Sequence, residues 1–158
     1  MNQRIVGAVA VVLLAGRAAG QDAVGPLLAA AKSAASAVRS DVATLDLVAE
    51  SSQSRTTILN LYQDDIRAVR TQAARLDAAR KNGTRWQQIA SERVIPLMEE
   101  LASAAEAAVR AASGNENPGK QYFKLSADLC GELTTLIGGW ADYAHTKDEL
   151  DRISGAHR

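Results

Sequence analysis

The 158-residue chain is long enough for one domain, and its 47% hydrophobic and 23% charged residues have the balance of a globular one. Aromatics make up only 4%, so a core has to be built from Leu, Val, Ile and Ala. Eighteen basic residues against eighteen acidic ones argue against a nucleic-acid binder, with its one-sided basic excess, and against a polybasic membrane-surface protein.

Residues 1–20 read as a secretory signal. Arg4 is the positive n-region, Ile5 to Ala15 is an unbroken apolar or small run, and Ala18-Ala19-Gly20 presents small residues for cleavage before Gln21. The run is shorter than the roughly 20 apolar residues a membrane span needs. Removing residues 1–20 takes away Arg4 and Arg17 and no acid. Sixteen bases then face eighteen acids, a net charge of −2. The processed chain is expected to be periplasmic or secreted, with no membrane span.

The first helix is predicted from about Pro26 to Glu50. Leu28, Ala31, Ala35, Val38, Val42 and Leu45 recur at spacings of three and four and make one apolar stripe. Ser51-Ser52-Gln53-Ser54 is a weak break. The second helix runs from about Arg55 to Lys81, with Leu59, Tyr62, Ile66, Val69, Ala73 and Leu76 as its stripe. Asn82-Gly83 stops it, since both residues tolerate the left-handed conformation that ends helices. Asn82-Gly83-Thr84 also fits the glycosylation acceptor pattern, a short motif that arises often by chance.

Thr84 as N-cap and Gln87 three residues later form a capping-box pattern that opens the third helix. It extends to about Ala112 and ends at Gly114. Trp86, Ala90, Val94, Leu97, Leu101, Ala105 and Ala108 form its stripe, and Pro96 inside it predicts a kink. Asn115-Glu116-Asn117-Pro118-Gly119 is a loop, with Asn117 and Pro118 as N-cap and first residue of the fourth helix. That helix runs to about Arg152. Its stripe is Tyr122, Leu125, Leu129, Leu133, Leu136, Trp140, Tyr143 and Leu150, with Gly138-Gly139 in its middle. Residues 21–153 are thus one helical domain, and residues 154–158 a frayed tail.

Short links between long amphipathic helices force antiparallel neighbours. The fold predicted is an all-α, elongated antiparallel four-helix bundle. A three-helix coil with a long first helix is the alternative.

Chemistry is sparse. Cys130 is the only cysteine, so no intramolecular disulfide can form. It reads as a small buried hydrophobe. Asp142, His145 and Glu149 fall at i, i+3 and i+7 and share a helix face. They resemble half of a di-iron carboxylate site, without the second acid-x-x-His step such sites need. They are weak metal candidates beside the plainer reading of a solvated face. His157 lies in the tail. Asp64-Asp65 and Glu99-Glu100 are adjacent and point to different sides of a helix, which reads as solvated surface. Trp86 and Trp140 read as anchors at a bundle end with the indole N–H reaching water. No nucleophile elbow, phosphate-cradling loop or haem-attachment motif occurs, so no catalytic residue and no cofactor is expected.

In the second half, Trp86-Gln87-Gln88, Arg93 and Pro96-Leu97-Met98-Glu99-Glu100-Leu101-Ala102 stand with Asn115-Glu116-Asn117, Ala127-Asp128-Leu129, Leu136-Ile137, Asp142-Tyr143 and Thr146-Lys147. Over roughly residues 84–150 these resemble a family of small secreted helical proteins from soil acidobacteria. The resemblance implies a bacterial, exported helical protein and carries over no activity, ligand or catalytic residue. The expected function is a structural or protein-interaction module of the bacterial envelope, acting through an unknown protein partner or self-association. A small-molecule or metal-binding bundle is the alternative, with a pocket opened by Pro96 and Gly138-Gly139 beside Trp140 and Tyr143.

Overall fold

The computed structural model describes residues 23–47, 52–113 and 119–155. The leader, Gly114, the loop through Asn117 and Pro118, and His157 lie outside the described residues. Four helices follow in order: α1 Val24–Leu47, α2 Ser52–Ala79, α3 Arg85–Ser113 and α4 Gly119–Gly155. They pack antiparallel, each against its chain neighbour, and α4 closes the ring against α1. The long-first-helix alternative is therefore wrong: α1 and α2 lie side by side, so the chain reverses between them.

The stripes of α1 to α3 bury as their spacing dictates. All six predicted α1 positions are buried, joined by Val24. In α2, Tyr62, Ile66, Val69, Ala73 and Leu76 are buried and Leu59 only partly. In α3 the buried face is wider than one stripe and takes in Ile95, Met98, Ala102 and Ala104. A helix touching neighbours on two sides needs such a broad apolar arc. Pro96 is exposed and α3 runs past it without a break.

The α4 stripe is rotated from its predicted face. Tyr122 and Leu125 are exposed, while Ser126, Leu129, Cys130, Leu133 and Ile137 are buried. The cause is a polar residue in the core. The Tyr62 hydroxyl reaches across the bundle diagonal and donates to Ser126 Oγ at 3.0 Å, and Ser126 donates on to the Tyr122 carbonyl at 2.9 Å. The Tyr62 ring also packs on Phe123, with centroids 5.4 Å apart. A satisfied serine can occupy a core position that a purely apolar pattern passes over.

The turn before α3 forms where expected but by another mechanism. A 3-10 turn spans Arg80–Asn82, and Gly83 follows in extended backbone (φ −80°, ψ 164°) rather than left-handed. Glycine is needed there for space. A Cβ would lie 2.9 Å from Val24 Cγ2 and 3.0 Å from Gln87 Cβ. The capping box appears in its return half: the buried Gln87 Oε1 accepts from the Thr84 backbone N–H at 2.8 Å. The close approach of Gly83 to Val24 sets the start of α3 beside the start of α1 at one end of the bundle.

Candidate functional site

That end of the bundle is where α4 outgrows its partners. At 1.5 Å per residue, the 37 residues of α4 run to about 55 Å, against about 36 Å for the 24 residues of α1. Its last buried residue is Ile137, and from Ala141 to Gly155 every residue is exposed except the half-buried Ala144. This overhang carries Tyr143, Leu150 and Ile153, each at least 50% exposed. Spacings of seven and three place the three on one face, as in a coiled-coil seam. Lys147 with Asp151 and Arg152 with Glu149 form ion pairs along the helix.

Where the overhang begins, three rings from α3 and α4 meet. Trp86 and Trp140 stack with centroids 6.4 Å apart, and Tyr143 stands edge-on to both, at 6.3 and 6.0 Å. The tryptophans anchor the bundle end as expected, half-buried against the core. Trp140 departs from the expectation in one respect: its Nε1 is buried with no hydrogen-bond partner.

Beside the rings a cleft of about 430 Å³ opens between α1 and α4. Leu28, Ile137 and Ala141 give it apolar walls, Trp86 lines it from α3, and Lys32 and Asp148 are its charged members. The pocket expected at Pro96 and the glycine pair is thus displaced. Gly138 and Gly139 line no part of the cleft, which lies toward Trp86 along α1 and α4, and Pro96 is exposed on α3. Lys32 and Asp148 carry no motif that sequence reasoning could single out. Only the pairing of α1 with α4 brings them to one groove.

The weak metal candidates Asp142, His145 and Glu149 all lie exposed on the overhang. Among the described residues no three His, Cys, Asp or Glu side chains come together to hold a metal ion. Cys130 is buried, and burial pushes its thiol up to about 12, far from the thiolate form that reacts or ligates.

One acidic pair was misread as surface. Asp64 is exposed and pairs with Arg67, but Asp65 is half-buried against Asp41 of α1. Burial first, then the hydrogen bond and charge of Asp65, push the Asp41 carboxyl up to about 7. Its Oδ2 is buried without a hydrogen-bond partner. Two carboxyls brought side by side resist ionising together. Adjacent acids on one helix point apart, and here only one of the two faces water.

No family model matches the chain, nor does any curated protein or solved structure. Among the described residues no helix is long and apolar enough to cross a membrane.

Proposed function

We propose that the chain is an exported interaction module of the bacterial envelope that docks a helix of a partner protein on the overhang of α4. The export half of this reading rests on the n-region, apolar run and small-residue site of residues 1–20. The interaction half rests on one observation: α4 continues beyond its neighbours and carries Leu150 and Ile153 exposed there, on the face that Tyr143 begins at the ring cluster. Large apolar side chains aligned along a solvated helix are the material of a helix-pairing seam.

A photo-reactive residue at Leu150 tests it, with Asp128, exposed on the packed part of α4, as the control position. A discrete protein adduct in the envelope fraction from Leu150 and not from Asp128, lost when Ile153 is changed to Ser, is expected. No adduct at Leu150, or the same adducts at both positions, sinks the docking reading. Recovery of the full-length chain in the cytoplasm with residues 1–20 intact sinks the export reading.

A second reading, a carrier of small molecules, is supported by the cleft between α1 and α4. Its volume of about 430 Å³ falls within the range of ligand sites, and its walls are mostly apolar.

A further inference from the structure

α1 and α4 run antiparallel in a register that two contacts define. The Lys32 ammonium lies 3.8 Å from where a Cβ of Gly138 would stand, and the Arg39 guanidinium 3.9 Å from that of Gly131. Seven residues along α1 therefore match seven along α4. Toward the start of α1 this register brings Gly25 and Ala29 to the stretch of α4 that holds Ala141 and Ala144. All four line the cleft. Side chains this small cannot fill the space between two helices, so the seam stays open here, whereas Val38 and Leu133 are fully buried farther along.

The two ends of the cleft differ in charge. Lys32 marks the end toward the middle of the bundle. Its ammonium lies over Gly138, where no side chain competes for the space, and it belongs to none of the ion pairs among the described residues. Asp148 marks the other end, at the overhang. Ten residues of α4 separate the levels of Lys32 and Asp148, about 15 Å at 1.5 Å per residue. Between them the lining is apolar except for Gln87, whose Oε1 already accepts from the Thr84 N–H, and Trp86 is held in place by Trp140 and Tyr143.

We propose that this cleft binds a monoanionic amphiphile, with its carboxylate at Lys32 and its apolar body lying along Leu28, Ile137 and Trp86 toward the overhang. The Lys32 ammonium, which pairs with no carboxylate among the described residues, supplies a charge-assisted hydrogen bond to the head group. Leu28 and Ile137 supply apolar contact that water leaves at a gain. Asp148 repels a second anionic group at the far end, so the ligand carries one negative charge. The inference rests on the carrier reading and is independent of the docking face.

The chain's two tryptophans both belong to this ring cluster, so their emission reads the site. Decanoate, titrated below micelle formation into the purified chain, is expected to change that emission saturably at one molecule per chain. Lys32→Gln weakens binding about tenfold, as loss of one charge-assisted contact predicts. Ala141→Leu, at an exposed position that tolerates bulk, fills the cleft and abolishes the response with the helical circular dichroism unchanged. A decyl chain on a quaternary ammonium head does not bind. Absence of a saturable change, an equal response to the cationic amphiphile, or an undiminished response in Ala141→Leu overturns the proposal. None of those outcomes bears on crosslinking at Leu150, which reads a different surface.

Discussion

The Tyr62 hydroxyl is fully buried, and burial pushes its pKa up to about 12, so it stays protonated and donates to Ser126 at all ordinary pH values. Removing the two partners has unequal cost. Tyr62→Phe removes a donor and leaves Ser126 bonded to the Tyr122 carbonyl, which costs about 1 kcal/mol of unfolding free energy. Ser126→Ala leaves a buried phenol without an acceptor and costs roughly 1–3 kcal/mol. Urea unfolding of the two single variants and the double variant checks the order, and the double variant is expected to fall short of the sum. Asp41 makes a pH prediction. Its folded pKa is about 7 against an ordinary 3.8, so the folded state holds the proton more tightly than the unfolded one. The stability this gives is fully present below about pH 4 and is lost as pH rises through about 7. Thermal melts should therefore show a higher midpoint at pH 5 than at pH 8. Asp41→Asn should flatten that difference, because an amide has no charge to bury.

Two glycines set the test for the elements. Gly83 has no room for a Cβ beside Val24 and Gln87, whereas nothing lies within 4 Å of one added to Gly139 in α4. Gly83→Ala is expected to destabilise by about 1–3 kcal/mol through overpacking, and Gly139→Ala to stabilise by up to about 1 kcal/mol through helix propensity. Chemical denaturation of both variants reads the opposite signs. The four helices were legible because Leu, Val and Ala recur at helical spacing and the capping box of Thr84 and Gln87 marks a start. The left-handed stop assigned to Gly83 was not, because a glycine kept for space and one kept for positive φ look alike in sequence. The face of α4 was misjudged for a related reason. Ser126 reads as polar until Tyr62, sixty-four residues earlier, supplies its partner.

The described residues form a closed ring of four helices, with the end of α4 as an appendage. The ring derives its stability from the core, and α4 beyond Ala144 contributes no buried side chain. A chain ended after Lys147 is therefore expected to keep its helical circular dichroism for the bundle and a nearly unchanged melting midpoint, while losing the Leu150 adduct. Where the cleft opens and how far α4 overhangs could not be read from the pattern, because each depends on how far one helix slides past another. Hydrophobic spacing within a helix does not specify that quantity.

The ring closes where α4 meets α1, the two segments farthest apart in the chain. On the ribosome α1 is made before the rest of the ring, yet the buried residues of α4 on that side, Leu133 and Ile137 among them, come more than ninety residues later. Until then the Leu28–Leu45 face can pair with α2 and, across the bundle, with α3. The last helix of the ring thus governs when its first becomes protected, and a translation arrest before residue 137 would leave a half-built bundle whose open seam is a target for chaperones and proteases.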